Sequence, residues 1–535
     1  MPDFIIITAW CLSRRVNASY ADALQWNPEY LQAHQQRAGL LRQMGQIDAS
    51  RAAYTALLDL SPALEGALTA LAELDAPAAV LSYYRAEAFA AQQQHAAAQS
   101  AYAESLAQDP DYAPAQLRMA ELLLDTGQFS QAYDMIQRHH AQARSARSRW
   151  VQGRILMGLG RSEDAEGVLA QAVELDPNAL VTREALARLQ LELRQAQACI
   201  DGFRELTFRR WRHPGWLQTQ CHQLQRSGDG LAFRQLLLQT RAQLAGWLAQ
   251  SANGLENRWN ALLQRCDEML AVIPESAPVD PWTGASGLSF DLQLAEMWLA
   301  FSTVLSEQHE HFQDWDKESV VGDWLDPEQD FKAAEAQFLA YHPAYVSLDA
   351  LSTEAALSLW RHCRSLPVCH DFWSLPGSIQ ATEAEGILTP LIWQLAGQLA
   401  SALPGLFKGL QLQAVRLESL YALEPGQPRP LQAAEGQLLA KLWLGPEATQ
   451  DQLLIYDVTM PAFADSAAFQ RLLKDELAKQ ALLQSRAKQV YTLPGAAGRL
   501  VLMQAGLLHR HQASALPATG LLCLNLVFGK TRAGA

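Results

Sequence analysis

The stretch GRLVLMQAGLLHRH (residues 498–511), followed after a short break by GLLCLNLVFG (520–529), decides how the C-terminal part of this chain is read. Both are apolar runs short enough for strands, and the first ends on His509 and His511. Upstream, LLAKLWLGPEA (438–448) and DQLLIYDVTMP (451–461) have the aromatic and branched content of strands closed by turn residues.

The ordered series resembles the double-stranded β-helix of Fe(II)/2-oxoglutarate oxygenases, and more closely a bacterial group in which tetratricopeptide repeats (TPR) precede such a domain. That group has H-A-D before a strand ending W-x-T-P, then G-G-L-x-x-Y-D, L-F-H and R-R-x-N-x-T-x-L-x-G. Trp443 and Pro446 match the W-x-T-P, residues 454–457 the tyrosine strand, and Leu508-His509 the distal histidine. The resemblance covers roughly the last 190 residues. It implies a jelly-roll or cupin-like barrel with flanking helices.

The departures matter as much. Eleven residues before Trp443, the H-A-D motif falls on Gln432-Ala433-Ala434, so the ligand positions Gln432 and Ala434 carry no ligand side chain of the expected kind. The arginine that would grip 2-oxoglutarate falls near Gly520 and Leu521. Fe(II) in this class takes two histidines and a carboxylate on one face, and a bidentate guanidinium normally pairs with the co-substrate carboxylate. His509 would be a vestigial metal ligand. The resemblance therefore implies a pseudoenzyme with no catalytic residue and no cofactor, serving as a protein- or ligand-binding module. The alternative is an active hydroxylase of a protein or glycan, using Fe(II), 2-oxoglutarate and ligands not recognised here. A third reading is a barrel that binds a sugar or other small polar ligand without redox chemistry.

Other candidates weigh less. His370-Asp371 is adjacent rather than H-x-D, so on a strand the two side chains point to opposite faces. Asp457 sits in the tyrosine strand and reads as structural. Lys441 could carry an anion or be a snorkelling edge lysine. His309 and His311 with Asp314 and Asp316 lie in an acidic connector. No P-loop, G-x-S-x-G, H-E-x-x-H or dinucleotide fingerprint is present.

The N-terminal half repeats at about 34 residues, the period of TPR helix pairs. Ala38, Ala86, Ala120, Gly153 and Ala187 occupy the small site of the first helix. Gly45, Gly127 and Gly160 follow at the turn, with Gln93 the exception, and Ala98, Ala132 and Ala165 fill the contact site of the second helix. Pro62, Pro110 and Pro177 close three repeats. An irregular helical insertion at 62–76 interrupts the array, and a degenerate unit runs to about Pro214. Such arrays stack into a superhelix lined by the first helices. Helical spacing places Gln35, Arg42, Tyr83, Glu87, Arg147, Trp150, Arg154, Met157 and Arg188 on that lining, with Leu117 and Leu124. The arginines and aromatics suit a protein or an extended peptide with acidic groups.

Composition sets the outer bounds. The chain has 535 residues, a formal net charge of −14 and a pI near 5.4, against a general nucleic-acid binder. Seven scattered cysteines without C-x-x-C predict reduced thiols and a cytoplasmic location. No apolar run of 18 residues predicts membrane insertion. The expected architecture is α+β and multidomain: an N-terminal extension or partial helix (1–26), an all-α TPR superhelix (27–214), a helical region with an acidic linker (215–340) and the double-stranded β-helix domain (341–535).

Overall fold

In the computed structural model, residues 15–25, 30–140, 145–211, 241, 256–272, 323–340, 344–365, 378–420, 429–445, 451–461, 469, 471–472, 475–512 and 521–530 are described. The chain divides into two compact units, Met1–Pro177 and Asn178–Ala535.

Small residues build the first unit. Helices α1 (15–25), α2 (Leu31–Gln43), α3 (Ile47–Leu60), α4 (Glu65–Glu73), α5 (Ala78–Ala91), α6 (His95–Gln108), α7 (Ala113–Asp125), α8 (Phe129–His140), α9 (Ala146–Gly158) and α10 (Ser162–Leu175) follow one another. Consecutive helices pack in pairs, α2 with α3, α5 with α6, α7 with α8 and α9 with α10. The expected contact residues Ala38, Ala86, Ala98, Ala120, Ala132 and Ala165 are fully buried. At Gly153 a Cβ would stand 2.6 Å from Leu169 Cδ2, so the α9–α10 crossing admits hydrogen alone. The inter-helix turns at Gly45, Gly127 and Gly160 take φ of 71°, 74° and 72°. Gln93, at the equivalent turn, takes φ 59°, so the backbone geometry persists without glycine and the cost is local strain. The insertion at 62–76 contains α4.

The second unit begins with α11 (Leu180–Glu192) and α12 (Ala196–Trp211). The repeat pattern reaches them, since Ala187 is buried and Gly202 packs on it. Yet their apolar residues Leu191, Ile200, Phe203 and Leu206 join the core of the sheet region. Polar ties run the same way: Arg210 Nη1 donates to Ala384 O (2.8 Å) and Arg194 Nε to Gln411 Oε1 (2.9 Å). Then come α13 (Glu256–Val272), α14 (Phe331–Ala340), α15 (Thr353–Ser365), α16 (Pro390–Ala402) and α17 (Glu476–Arg486). Ser352 Oγ caps α15 by accepting from Ala355 N (3.2 Å).

Among the described residues, nine strands form two antiparallel sheets: β1 (Tyr345–Asp349), β2 (Ser378–Thr382), β3 (Gln411–Leu420), β4 (Leu438–Leu444), β5 (Gln452–Thr459), β6 (Val490–Pro494), β7 (Arg499–Gln504), β8 (Leu507–His511) and β9 (Leu521–Gly529). The larger sheet runs β1-β7-β4-β9-β3-β2, the smaller β6-β5-β8. Alternation gives each central strand two cores. Leu438, Ala440, Leu442 and Leu444 of β4, with Leu522, Leu524, Leu526 and Phe528 of β9, pack under α12, α15 and α16. Leu439 and Trp443, with Cys523 and Val527, face β5 and β8 across the sandwich. Both faces being covered explains why these strands read as unbroken apolar runs. The fold is thus an N-terminal helical repeat region followed by a sheet-rich region.

Candidate functional site

Six polar side chains and the Trp443 indole meet inside the sandwich where the pattern calls for hydrocarbon. Lys441, at the middle of β4, points to the same inner face as Leu439 and Trp443. It is 1% exposed and lies on a central strand, not at an edge, which corrects the snorkelling reading. Its ammonium group has three hydrogens and three acceptors: Glu418 Oε2 at 3.1 Å, Gln432 Oε1 at 3.3 Å and His511 Nε2 at 2.8 Å. Accepting at Nε2 requires His511 to carry its proton on Nδ1, which donates to Asp451 Oδ2 (2.6 Å). Trp443 Nε1 donates to the same oxygen (3.0 Å). Gln432 Nε2 donates to Glu418 Oε1 (2.5 Å), and Asn525 Nδ2 to Glu418 Oε2 (3.4 Å).

Burial and charge oppose one another here. Desolvation would raise both carboxyls; the Lys441 charge beside Glu418, and the His511 and Trp443 bonds to Asp451, hold each below the ordinary carboxylate range. Two buried oxygens remain unbonded, Asp451 Oδ1 and Asn525 Oδ1. His509 is also buried, its Nδ1 bonded to Leu507 O (2.9 Å). Desolvation first, and the nearby Lys441 charge second, push His509 down to about 3, so the ring is neutral.

The expected ligand positions come together, although their chemistry is different. Gln432 and His509 form an isolated antiparallel bridge, exchanging N–H···O bonds of 2.7 and 3.0 Å. Ala434 is buried against the inner core, and Leu521 opens β9; Gly520 lies outside the described residues. So do Pro446, His370-Asp371 and the His309–Asp316 cluster. Asp457 accepts from the Lys488 and Gln489 main chain (3.0 and 3.1 Å) and is structural. Sequence reasoning missed Glu418 and Asp451, the two carboxylates that partner Lys441 and His511.

The donor set does not suit Fe(II) with 2-oxoglutarate. The space between Gln432, Glu418 and His511 holds an ammonium group already, and a second cation there would meet its repulsion at full burial. Among the described residues, no three His, Cys, Asp or Glu side chains gather to hold a metal. A cleft of about 630 Å³ lies nearby, lined by Glu435, Gln437, Gln504 and apolar neighbours, and no side chain of the Lys441 network lines it.

In the first unit, the expected groove residues are largely engaged with one another. Glu87 accepts from Tyr102 Oη and from Arg118 Nε and Nη2, both at 2.8 Å. Arg118 Nη1 reaches Glu121 (2.5 Å), which takes Arg147 through Nε and Nη2 at 2.6 and 2.9 Å. The ladder links α5, α6, α7 and α9, three successive repeats. Arg147 is therefore charge-paired, and charges of both signs alternate along the ladder. Arg42 is exposed and paired with Glu73 (2.7 Å). Arg154 lies over the Trp150 ring at 5.3 Å. Gln35 is exposed, Tyr83 and Met157 half-buried. Tyr83 packs edge-on to Tyr84 and Tyr112, its hydroxyl pushed up by burial and by Glu87. Arg188 belongs to the second unit, where it pairs with Glu184 and Glu383.

Sequence comparison agrees with these helix pairs. Tetratricopeptide-repeat family models match residues 31–64, 89–154 and 146–179. The chain therefore carries TPR repeats. Among solved structures, similar chains include YrrB, described as a TPR protein with an unusual peptide-binding site (15% identity, 35% of this chain, 90% of that one, TM-score 0.23). PilF of Pseudomonas aeruginosa (14%, 36% and 82%, TM-score 0.25) and MamA of Desulfovibrio magneticus RS-1 (15%, 33% and 92%, TM-score 0.25) are others. No curated protein matches the chain. Among the described residues, no helix is long and apolar enough to cross a membrane.

Proposed function

We propose that this protein is a TPR scaffold whose sheet region is a double-stranded β-helix without oxygenase chemistry, retained as a rigid protein- or ligand-binding module. The repeats carry the first half of that reading, because stacked helix pairs present extended surfaces to partners. Support for the β-helix comes from the chain path. From β3 the chain passes to the Gln432 bridge beside β8, returns to β4, crosses to β5 and β6, returns to β7, crosses to β8 and returns to β9. A path that winds between two facing antiparallel sheets is that of a jelly roll.

One observation carries the loss of chemistry: the Lys441 ammonium group sits between Gln432 and His511, fully bonded and sealed. A lysine there supplies internally the positive charge that a metal would bring. The paired ladder of Glu87, Arg118, Glu121 and Arg147 favours partners read by mixed polar and aromatic contacts at Tyr83, Trp150 and Arg154 over strongly acidic peptides.

Differential scanning fluorimetry with Mn(II) plus 2-oxoglutarate tests the module. No shift in melting temperature is expected, since a ligand stabilises only a state that binds it. A saturable shift, or succinate formed with Fe(II), would establish the active hydroxylase instead. For the scaffold, photo-crosslinking from position 154 should trap a protein partner, and Trp150→Ala should abolish the trapping.

A further inference from the structure

We propose that Lys441 and Asn525 form an intramolecular amide, a covalent link between β4 and β9, driven by Glu418, His511 and Asp451. The two residues are direct register partners on adjacent strands, both on the inner face. Glu418 Oε2 touches both reacting nitrogens, Lys441 Nζ at 3.1 Å and Asn525 Nδ2 at 3.4 Å. His511 Nε2 is 2.8 Å from Lys441 Nζ, and Asp451 anchors its other nitrogen. That is the arrangement of a base with an orienting carboxylate, aimed at an amine. Asn525 Oδ1 has no hydrogen-bond partner although it is buried. An amide left half-satisfied in a low-dielectric site is raised in energy relative to one in water.

The step balances without any co-reactant. The Lys441 ammonium passes one proton to His511 Nε2, and Asp451 stabilises the imidazolium. The freed Nζ lone pair attacks Asn525 Cγ, and the carbonyl π pair moves onto Oδ1. Glu418 takes the second proton from Nζ and delivers it to Nδ2. The carbonyl re-forms, the Cγ–Nδ2 bond breaks and ammonia departs, taking up the proton held by His511. One ammonium and one primary amide become one secondary amide and an ammonium ion. Glu418 and His511 touch the reacting atoms; Asp451 is a positioning residue.

Burial makes the chemistry internal. Lys441 and Asp451 are 1% exposed and His511 2%, so an outside substrate does not reach the amine, and water does not compete. Holding amine and amide on neighbouring strands replaces a bimolecular encounter with a preset one. Cys523, the register partner of both Trp443 and Glu418, is not a rival nucleophile, because burial pushes its thiol well up.

Intact-mass and tandem mass spectrometry of the purified full chain, fresh and after incubation at neutral pH, tests the link. The expected result is a mass short by one ammonia. A branched peptide should join the Lys441 and Asn525 segments, with trypsin no longer cutting after Lys441. Asn525→Leu should restore the full mass, and Glu418→Gln should slow the loss at least tenfold. An unchanged wild-type mass after incubation, with cleavage at Lys441, overturns the proposal, as does an ammonia loss mapped elsewhere. The wild-type measurement decides even where a variant fails to fold. It is also independent of partner binding and of any response to metal.

Discussion

Lys441 Nζ stands 2.8 Å from His511 Nε2, close enough for the ammonium group to donate a hydrogen bond to the imidazole. The pair is tolerable inside the sandwich because Glu418 and Asp451 flank it on either side. An ion cluster of this kind adds little net stability over a hydrocarbon core, yet removing one member leaves the others uncompensated. In the Asn525→Leu background, where Lys441 keeps its ammonium group, Lys441→Met should therefore destabilise the sheet region by about 3–5 kcal/mol, since Glu418 would remain buried and ionised. The double variant Lys441→Met with Glu418→Gln should recover more than half of that loss. Urea denaturation followed by tryptophan fluorescence reads both; a single variant as stable as the parent would show that the cluster is not charged.

Acid should weaken the same region in two stages. His509 is lowered from 6.5 to about 3, so below pH 6.5 the unfolded chain binds a proton that the folded one refuses. Its contribution is fully present above 6.5 and declines as pH falls toward 3. Glu418 and Asp451 are lowered as well, so their contribution is present above the ordinary carboxylate range and is lost as pH falls through their folded values. Melting temperature should thus fall between pH 6.5 and 4.5, before Glu418 or Asp451 protonates in the folded chain. His509→Gln should flatten that first slope and leave the second. An unchanged slope would assign it to another histidine.

The repeat half was legible because its signals are local. A glycine at a turn or an alanine at a helix crossing is set by neighbours within one repeat, and Gln93 was recognisable as an exception from its place in the series. The site was legible only in part. The family resemblance assigned Gln432 and His509 to ligand positions, and in the fold the two residues form a main-chain bridge. Glu418 and Asp451 were not recoverable that way. Glu418 meets Lys441 across 23 positions and Asp451 meets His511 across 60, and it is strand order, β3 and β4 flanking β9 in one sheet and β5 beside β8 in the other, that brings each pair together. The signal available was an anomaly: a lysine inside an unbroken apolar run needs a carboxylate somewhere. Nothing local set Pro177 apart from the repeat-closing Pro62 and Pro110 as a boundary, because α11 and α12 keep the repeat pattern while their apolar residues join the sheet core.

Two glycines on successive helices should respond oppositely to alanine. At Gly153 the new methyl would stand 2.6 Å from Leu169 Cγ and Cδ2, so α9 and α10 must separate. Overpacking of that kind costs about 1–3 kcal/mol. At Gly167, in the interior of α10, nothing lies within 4 Å, and alanine removes backbone freedom from the unfolded chain. Gly167→Ala should stabilise by roughly 0.5–1 kcal/mol. Thermal melts of the two variants side by side separate packing from propensity; a stabilised Gly153→Ala would refute the tight crossing.

Arg118 is the hinge of the charge ladder, and its loss should be felt across three repeats. Its guanidinium grips Glu87 with two nitrogens and Glu121 with a third, while Tyr102 donates to the same Glu87. Arg118→Ala leaves Glu87, 11% exposed at its side chain, with only the tyrosine. Because Arg118 itself is 32% exposed, water enters part of the gap and the cost falls below that of a sealed pair, about 1–3 kcal/mol. Glu87→Gln should cost less, since the amide oxygen still accepts from Arg118 Nε and no bare charge remains. Amide hydrogen exchange offers the sharper readout. Protection in Arg118→Ala should drop together in α5, α7 and α9, because the ladder couples first helices that repeat packing alone links only to neighbours. A loss confined to α7 would show that each rung acts by itself.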